Sequence, residues 1–314
     1  MASLNGPPER VRIYEVGPRD GLQAERTLVP TATKRRFVEL LLAAGLREIE
    51  ATSFVSPKAI PQLADGDELL PSLPKRDGVR YPVLVPNERG LRRAEAAGAE
   101  AIAVFAATTD AYSQRNIGMT VDESLRTFGP LLRAANEHGW WTRAYVSTAF
   151  GCPYTGRVPP ERVVDVSLRL AELGAGEIAV SDTVGVGVPS QVGDLVDRLV
   201  GAGLPVGRIA FHFHDTRGTA LANVVAGLAA GVRCFDASTG GTGGSPFAPG
   251  AAGNLATEDL VYLLDGLGYE HGAALAGVLE AARFISAALG RRLDSKVGRA
   301  GGWDPATGAP IDPA

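Results

Sequence analysis

Short apolar runs alternate with longer stretches of helical periodicity along almost the whole chain. Residues 11–16, 47–50, 81–85, 101–106, 141–148, 177–181, 208–214 and 234–237 read as strands. The segments 33–44, 88–97, 121–137, 160–173, 189–200, 218–230 and 255–267 read as helices, with a weaker one near 60–70. Within 121–137, Leu125, Phe128, Leu131 and Leu132 recur at helical spacing, and Pro189 suits the first turn of its helix. Each of the eight strands is thus followed by a helix, the pattern of a (β/α)8 TIM barrel. A doubly wound open sheet is the rival, but no Gly-x-Gly-x-x-Gly follows the first strand. An additional C-terminal helical segment spans 272–289. We expect one domain over 1–300 and a disordered tail over 301–314, where three Pro and three Gly fall.

On this frame the segment Phe211-His212-Phe213-His214-Asp215 stands out. Side chains alternate along a strand, so His212 and His214 face one side while Phe211 and Phe213 face the other. Two imidazoles on one face at a strand end suit a shared metal ion; they also suit a pair of core histidines bonded to carbonyls. A barrel builds its active site where the strands end, so the polar residues there are the candidates. They are Glu15 to Gln23, then Glu50 with Thr52 and Ser53, Tyr145 and Ser147, Ser181-Asp182-Thr183, the histidine pair, and Asp236 with Ser238.

Asp20 offers a carboxylate to join His212 and His214, although Pro18 and Gly21 also make Arg19-Asp20 read as a solvated turn. The glycine-rich stretch 240–247 is either an ordinary connection or a lid above the barrel mouth. Asn254 suits a helix N-cap or a metal ligand, and spacing alone does not choose.

Composition narrows the partners. A net charge of -4 with 45% hydrophobic residues points to neither nucleic acid nor an anionic membrane surface. Two cysteines, Cys152 and Cys234, fit a reducing cytoplasmic setting rather than a disulfide framework. Residues 1–10 lack the apolar core of a signal peptide, and no apolar run reaches the ~18 residues of a membrane span.

Several ordered blocks resemble the 3-hydroxy-3-methylglutaryl-CoA lyase family of the DRE-TIM metallolyase superfamily. They are Glu15-Val16-Gly17-Pro18-Arg19-Asp20-Gly21-Leu22-Gln23, Ile49-Glu50-Ala51-Thr52-Ser53-Phe54, Gly151-Cys152-Pro153-Tyr154, Asp182-Thr183-Val184-Gly185, His212-Phe213-His214-Asp215-Thr216 and Gly253-Asn254-Leu255-Ala256-Thr257-Glu258. The resemblance implies Mg2+ or Mn2+ held by Asp20, His212, His214 and Asn254. It implies that Arg19 faces a thioester carbonyl, and that Glu50, Asp182 and Glu258 belong to the site. A small-molecule acyl-CoA substrate and a homodimer follow from it too.

The chain departs from the family at one position: Ser245 stands where the family has its lid cysteine. A thiol exchanges protons near neutrality, whereas an unactivated hydroxyl is a far weaker acid. Cys152 and Cys234 do not fill the position. The proton donor is then Ser245, Tyr145 or water. The expected reaction is cleavage of 3-hydroxy-3-methylglutaryl-CoA to acetoacetate and acetyl-CoA. The alternatives are a related 3-hydroxyacyl-CoA such as citramalyl-CoA, or a non-catalytic CoA-ester-binding paralogue.

Overall fold

The computed structural model describes residues 9–244, 253–304 and 307–314. Its main sheet is parallel throughout. The strands are β1 (Arg12–Glu15), β2 (Glu48–Ile49), β3 (Thr52–Ser53), β4 (Val83–Leu84), β5 (Ala101–Ala107), β6 (Trp141–Ser147), β7 (Glu177–Asp182), β8 (Ile209–Phe213) and β9 (Cys234–Ala237). The order runs β2-β1-β9-β8-β7-β6-β5-β4-β3. β2 and β3 are two halves of one run broken at Glu50 and Ala51. Glu50 N donates to Glu15 O at 2.8 Å and Ala51 N to Pro82 O at 3.0 Å, so the break bonds to both neighbours and the sheet closes on itself. The result is the (β/α)8 barrel that the periodicity predicts, with the helix Leu275–Leu289 as the additional C-terminal segment.

Strand alternation divides the apolar residues between two cores. Outward residues such as Phe211 and Phe213, stacked at 4.9 Å between centroids, join the layer between sheet and helices. Inward residues form a second cluster in which Ala103, Ala179 and Ala210 alternate with Tyr14 and Tyr145. The small residues leave room for a fully buried arginine: Arg143 lies with its Cζ 3.8 Å from the Tyr14 ring centroid. Its charge is balanced on both sides, by Asp236 at 2.6 Å and by Glu177 at 3.3 Å, and Glu177 pairs in turn with Arg12. Charges this deep persist only when paired.

Several short elements lie outside the expected pattern, among them a helix and a strand pair near the end of the sequence. The helix Asp110–Ile117 is too short to show a clear period; Thr109 caps it by accepting from Tyr112 N, and Gly118 ends it at φ 72. The segment 301–314, expected as a disordered tail, carries where described an antiparallel pair, β10 (Gly302–Trp303) and β11 (Pro310–Ile311). Gly308 lies in the connection between them at φ 67, and Ala314 N donates to Gly298 O at 2.7 Å.

Candidate metal centre

The site begins with the turn that follows β1. Gly17–Gly21 forms a π-helical turn in which the Val16 carbonyl accepts from Asp20 N at 2.8 Å and Gly21 N at 3.1 Å. Such turns are rare and gather at functional sites. Glu15 holds this one in place. Its buried carboxylate accepts from Gly17 N (2.8 Å), Thr239 N (2.9 Å), Thr239 Oγ1 (2.8 Å) and Thr257 Oγ1 (2.6 Å). One side chain therefore ties the first strand to the loop after β9 and to the last barrel helix. Gly21 must be glycine because a Cβ there would lie 2.3 Å from Thr242 Oγ1.

The turn aims Asp20 at the end of β8. One ligand atom each from Asp20, His212 and His214 lies within 4.8 Å of the others. Asn254 completes the group. Its Nδ2 donates to Asp20 Oδ2 at 2.8 Å and to Thr242 O at 3.0 Å, while its Oδ1 is buried without a hydrogen-bond partner. His214 Nδ1 is likewise buried and unpartnered. Orphaned buried acceptors are costly, and here they belong to a group of O and N donors. A carboxylate, an amide oxygen and two imidazoles fit a divalent cation. Asn254 is not the helix cap, since Ala256 precedes the helix Thr257–Leu267.

Electrostatics favours the ligating forms. Burial works against the Asp20 carboxylate, but Arg19, His212 and His214 together hold it well below the usual carboxylate range. Burial, then the neighbouring His212, pushes His214 down to about 4, leaving a neutral imidazole near neutrality. His212 Nδ1 lies 3.0 Å from Asp236 Oδ2.

Arg19 is buried beside this group. It bonds Asp20 and donates to Glu50 Oε2 at 2.9 Å. The Tyr145 hydroxyl donates to the same Glu50 oxygen at 2.7 Å, and the Tyr145 ring meets His212 edge-on at 5.8 Å. Glu50 thus aligns Arg19 and Tyr145 together.

The other sequence candidates sit differently. Asp182 turns both oxygens to its own loop, accepting from Val186 N at 3.0 Å and Gly187 N at 2.8 Å; burial raises its pKa against those bonds. Glu258 lies behind the loop after β9. It accepts from Gly240 N at 2.8 and 3.0 Å, and burial pushes its carboxyl up to about 8. Ser245 lies outside the described residues. Cys152 Sγ accepts from Thr109, and Cys234 Sγ lies against Glu177.

Sequence reading missed the parts played by Glu15 and Arg143 and gave Asp236 no role. Strand parity held the signal: a charged residue at an inward position of a central strand needs a partner.

A family model described as HMGL-like matches residues 10–285. The hydroxymethylglutaryl-CoA lyase of Pseudomonas mevalonii is 50% identical over 292 residues, 93% of this chain and 97% of the relative. The crystal structure of hydroxymethylglutaryl-CoA lyase from Pseudomonas aeruginosa superposes with a TM-score of 0.90 at 44% identity, covering 92% of this chain and 96% of that one. An HMG-CoA lyase from Acinetobacter baumannii, solved in complex with coenzyme A and 3-methylmalate, matches with a TM-score of 0.89 at 35% identity, covering 96% and 97%.

Proposed function

We propose that this chain, which belongs to the HMGL-like family, is a carbon–carbon lyase that cleaves 3-hydroxy-3-methylglutaryl-CoA to acetoacetate and acetyl-CoA, with Mg2+ or Mn2+ held by Asp20, His212, His214 and Asn254. The observation that carries the reading is the convergence of these four side chains beside a buried Arg19, with the Asn254 Oδ1 acceptor left free. Bound there, a divalent ion supplies Lewis acidity that favours ionisation of a substrate hydroxyl.

The chain's own residues do the rest. The 3-hydroxyl proton passes to a base, Asp182 or a water near His212, and the bond between C2 and C3 breaks. Its electron pair moves into the acetyl-CoA enolate, and C3 becomes the ketone of acetoacetate. Arg19, held by Glu50, stabilises the enolate oxygen. A proton then returns to the enolate carbon. Tyr145 already gives its hydrogen to Glu50, and burial followed by the Glu50 charge raises its pKa well above the usual phenol value. Ser245, which stands at the position of the family's lid cysteine, is our assignment for the donor, with water as the alternative. Glu258 acts from behind, anchoring Gly240 at the root of the loop.

A CoA ester as substrate is supported by the relative that binds coenzyme A. Two free, buried cysteines suit the cytosol, and we take the working unit to be a homodimer. Among the described residues no helix is long and apolar enough to cross a membrane.

Incubation with Mg2+ and a panel of 3-hydroxyacyl-CoA esters tests the reading. Acetoacetate and acetyl-CoA should form from 3-hydroxy-3-methylglutaryl-CoA at the highest kcat/KM. Faster release of pyruvate from citramalyl-CoA would overturn the substrate. Tight ester binding with no cleavage would overturn the activity.

A further inference from the structure

The two ligand histidines are held differently. His214 Nδ1 is buried without a partner, whereas His212 Nδ1 lies 3.0 Å from Asp236 Oδ2. Asp236 is in turn fixed from inside the barrel: its Oδ1 accepts from Arg143 Nη2 at 2.6 Å. Asp236 and Arg143 are almost wholly buried, and Arg143 reaches Glu177 at 3.3 Å on its other side. A line of alternating charge therefore runs up the barrel interior through Arg12, Glu177, Arg143 and Asp236 to His212.

We propose that Asp236, locked by Arg143, is a positioning residue that fixes the tautomer of His212 and so sets the affinity of the metal site. An ionised carboxylate only accepts hydrogen bonds, so the imidazole nitrogen facing it must carry the hydrogen. With the hydrogen on Nδ1, the lone pair sits on Nε2, the nitrogen left to bind a cation. Arg143 secures the arrangement because a guanidinium stays charged and occupies Oδ1, leaving Oδ2 for His212. The parity of the strands makes the chain of contacts possible. Ser181 pairs with His212 and His212 with Asp236 across adjacent strands, while Arg143 pairs with Glu177 further down the same inward face. The proposal rests on the metal reading above and adds to it a determinant of affinity.

A purely structural ion pair would look similar in the fold, so the test reads the imidazole directly. The chain has four histidines, which makes long-range proton–nitrogen NMR of the 15N-labelled, metal-free protein assignable. His212 should appear as the Nδ1–H tautomer. Asp236→Asn presents one acceptor and one donor end to two donors. It should therefore lower the Nδ1–H population and weaken Mn2+ binding, read by calorimetry, by about 10- to 100-fold. An Nε2–H tautomer for His212 in the wild-type protein overturns the proposal. So does a folded Asp236→Asn protein whose Mn2+ affinity stays within about twofold of wild type. Should Asp236→Asn not fold, the wild-type spectrum still decides the tautomer. A wild-type chain that shows the Nδ1–H tautomer but binds no Mn2+ overturns the metal reading and the affinity role, and leaves the contact standing.

Discussion

The amide nitrogen of Asn254 donates to Asp20 Oδ2 at 2.8 Å across a sequence separation of 234 residues. The contact joins the turn after the first strand to the segment before the last barrel helix. The amide oxygen of Asn254 is buried without a hydrogen-bond partner. Replacing Asn254 by Ala removes a ligand and the tether together. The rise in Tm produced by saturating Mn2+ should shrink, because a tenfold loss of affinity removes about 1.4 kcal/mol of ligand-linked stability. Thermal unfolding with and without Mn2+ measures it; an undiminished rise would remove Asn254 from the site.

Arg19 and Tyr145 share one acceptor, Glu50 Oε2. Glu50→Gln loses the charge that aligns the guanidinium while keeping the shape. Turnover should fall by about 10²- to 10³-fold, the scale for losing one transition-state donor, with KM changed much less. Steady-state kinetics separates the two parameters. A rise in KM at constant kcat would mean that the pair serves substrate binding instead.

Ser245 offers a gain-of-function test. Ser245→Cys introduces a group whose ordinary pKa, about 8.5, suits proton return near neutrality. Its kcat should exceed that of the wild-type chain, and Ser245→Ala should fall below it. Metal affinity should hold constant in both. Equal rates for the serine and alanine forms would transfer the role to water.

Glu258 ties stability to pH. Its carboxyl ionises near 4.5 when unfolded and near about 8 in the fold, where burial raises it. Between those values the folded state keeps a proton that the unfolded state has lost. Its contribution is thus complete below the lower value and is lost as pH rises through the upper one. Glu258→Gln keeps an acceptor for Gly240 N and does not titrate, so its Tm should fall less than that of wild type from pH 5 to pH 9. Parallel melting curves for the two proteins would show that Glu258 is ionised throughout.

Much of this was legible in sequence because it rests on local rules. The inward parity of His212 and His214 follows from strand alternation, and the helix Val121–Glu137 from its period. Asp20 was legible as a candidate because barrels gather polar residues at strand ends. What stayed hidden depends on contacts across the barrel. Glu258 is a good ligand type near Asn254, yet its helix turns it toward Gly240. Arg143 lies in an apolar run, and only the closed sheet brings it to Asp236 and Glu177. The break at Glu50 and Ala51 is a pairing event with no compositional mark.

The root of the loop after β9 is clamped by residues from far down the chain. Leu293 fills the space beside Gly240, Asp294 N donates to Gly240 O at 3.1 Å, and Asp259 accepts from Ser295 Oγ at 2.9 Å and Val297 N at 2.7 Å. During synthesis, all eight staves of the barrel leave the ribosome before any of these clamps exists. A nascent chain that ends before Leu293 has its sheet and the bonds of Glu15 and Glu258 to the loop root, but lacks these further contacts. The full set of contacts on the loop root therefore forms only after the sheet, once Leu293 to Val297 have been made.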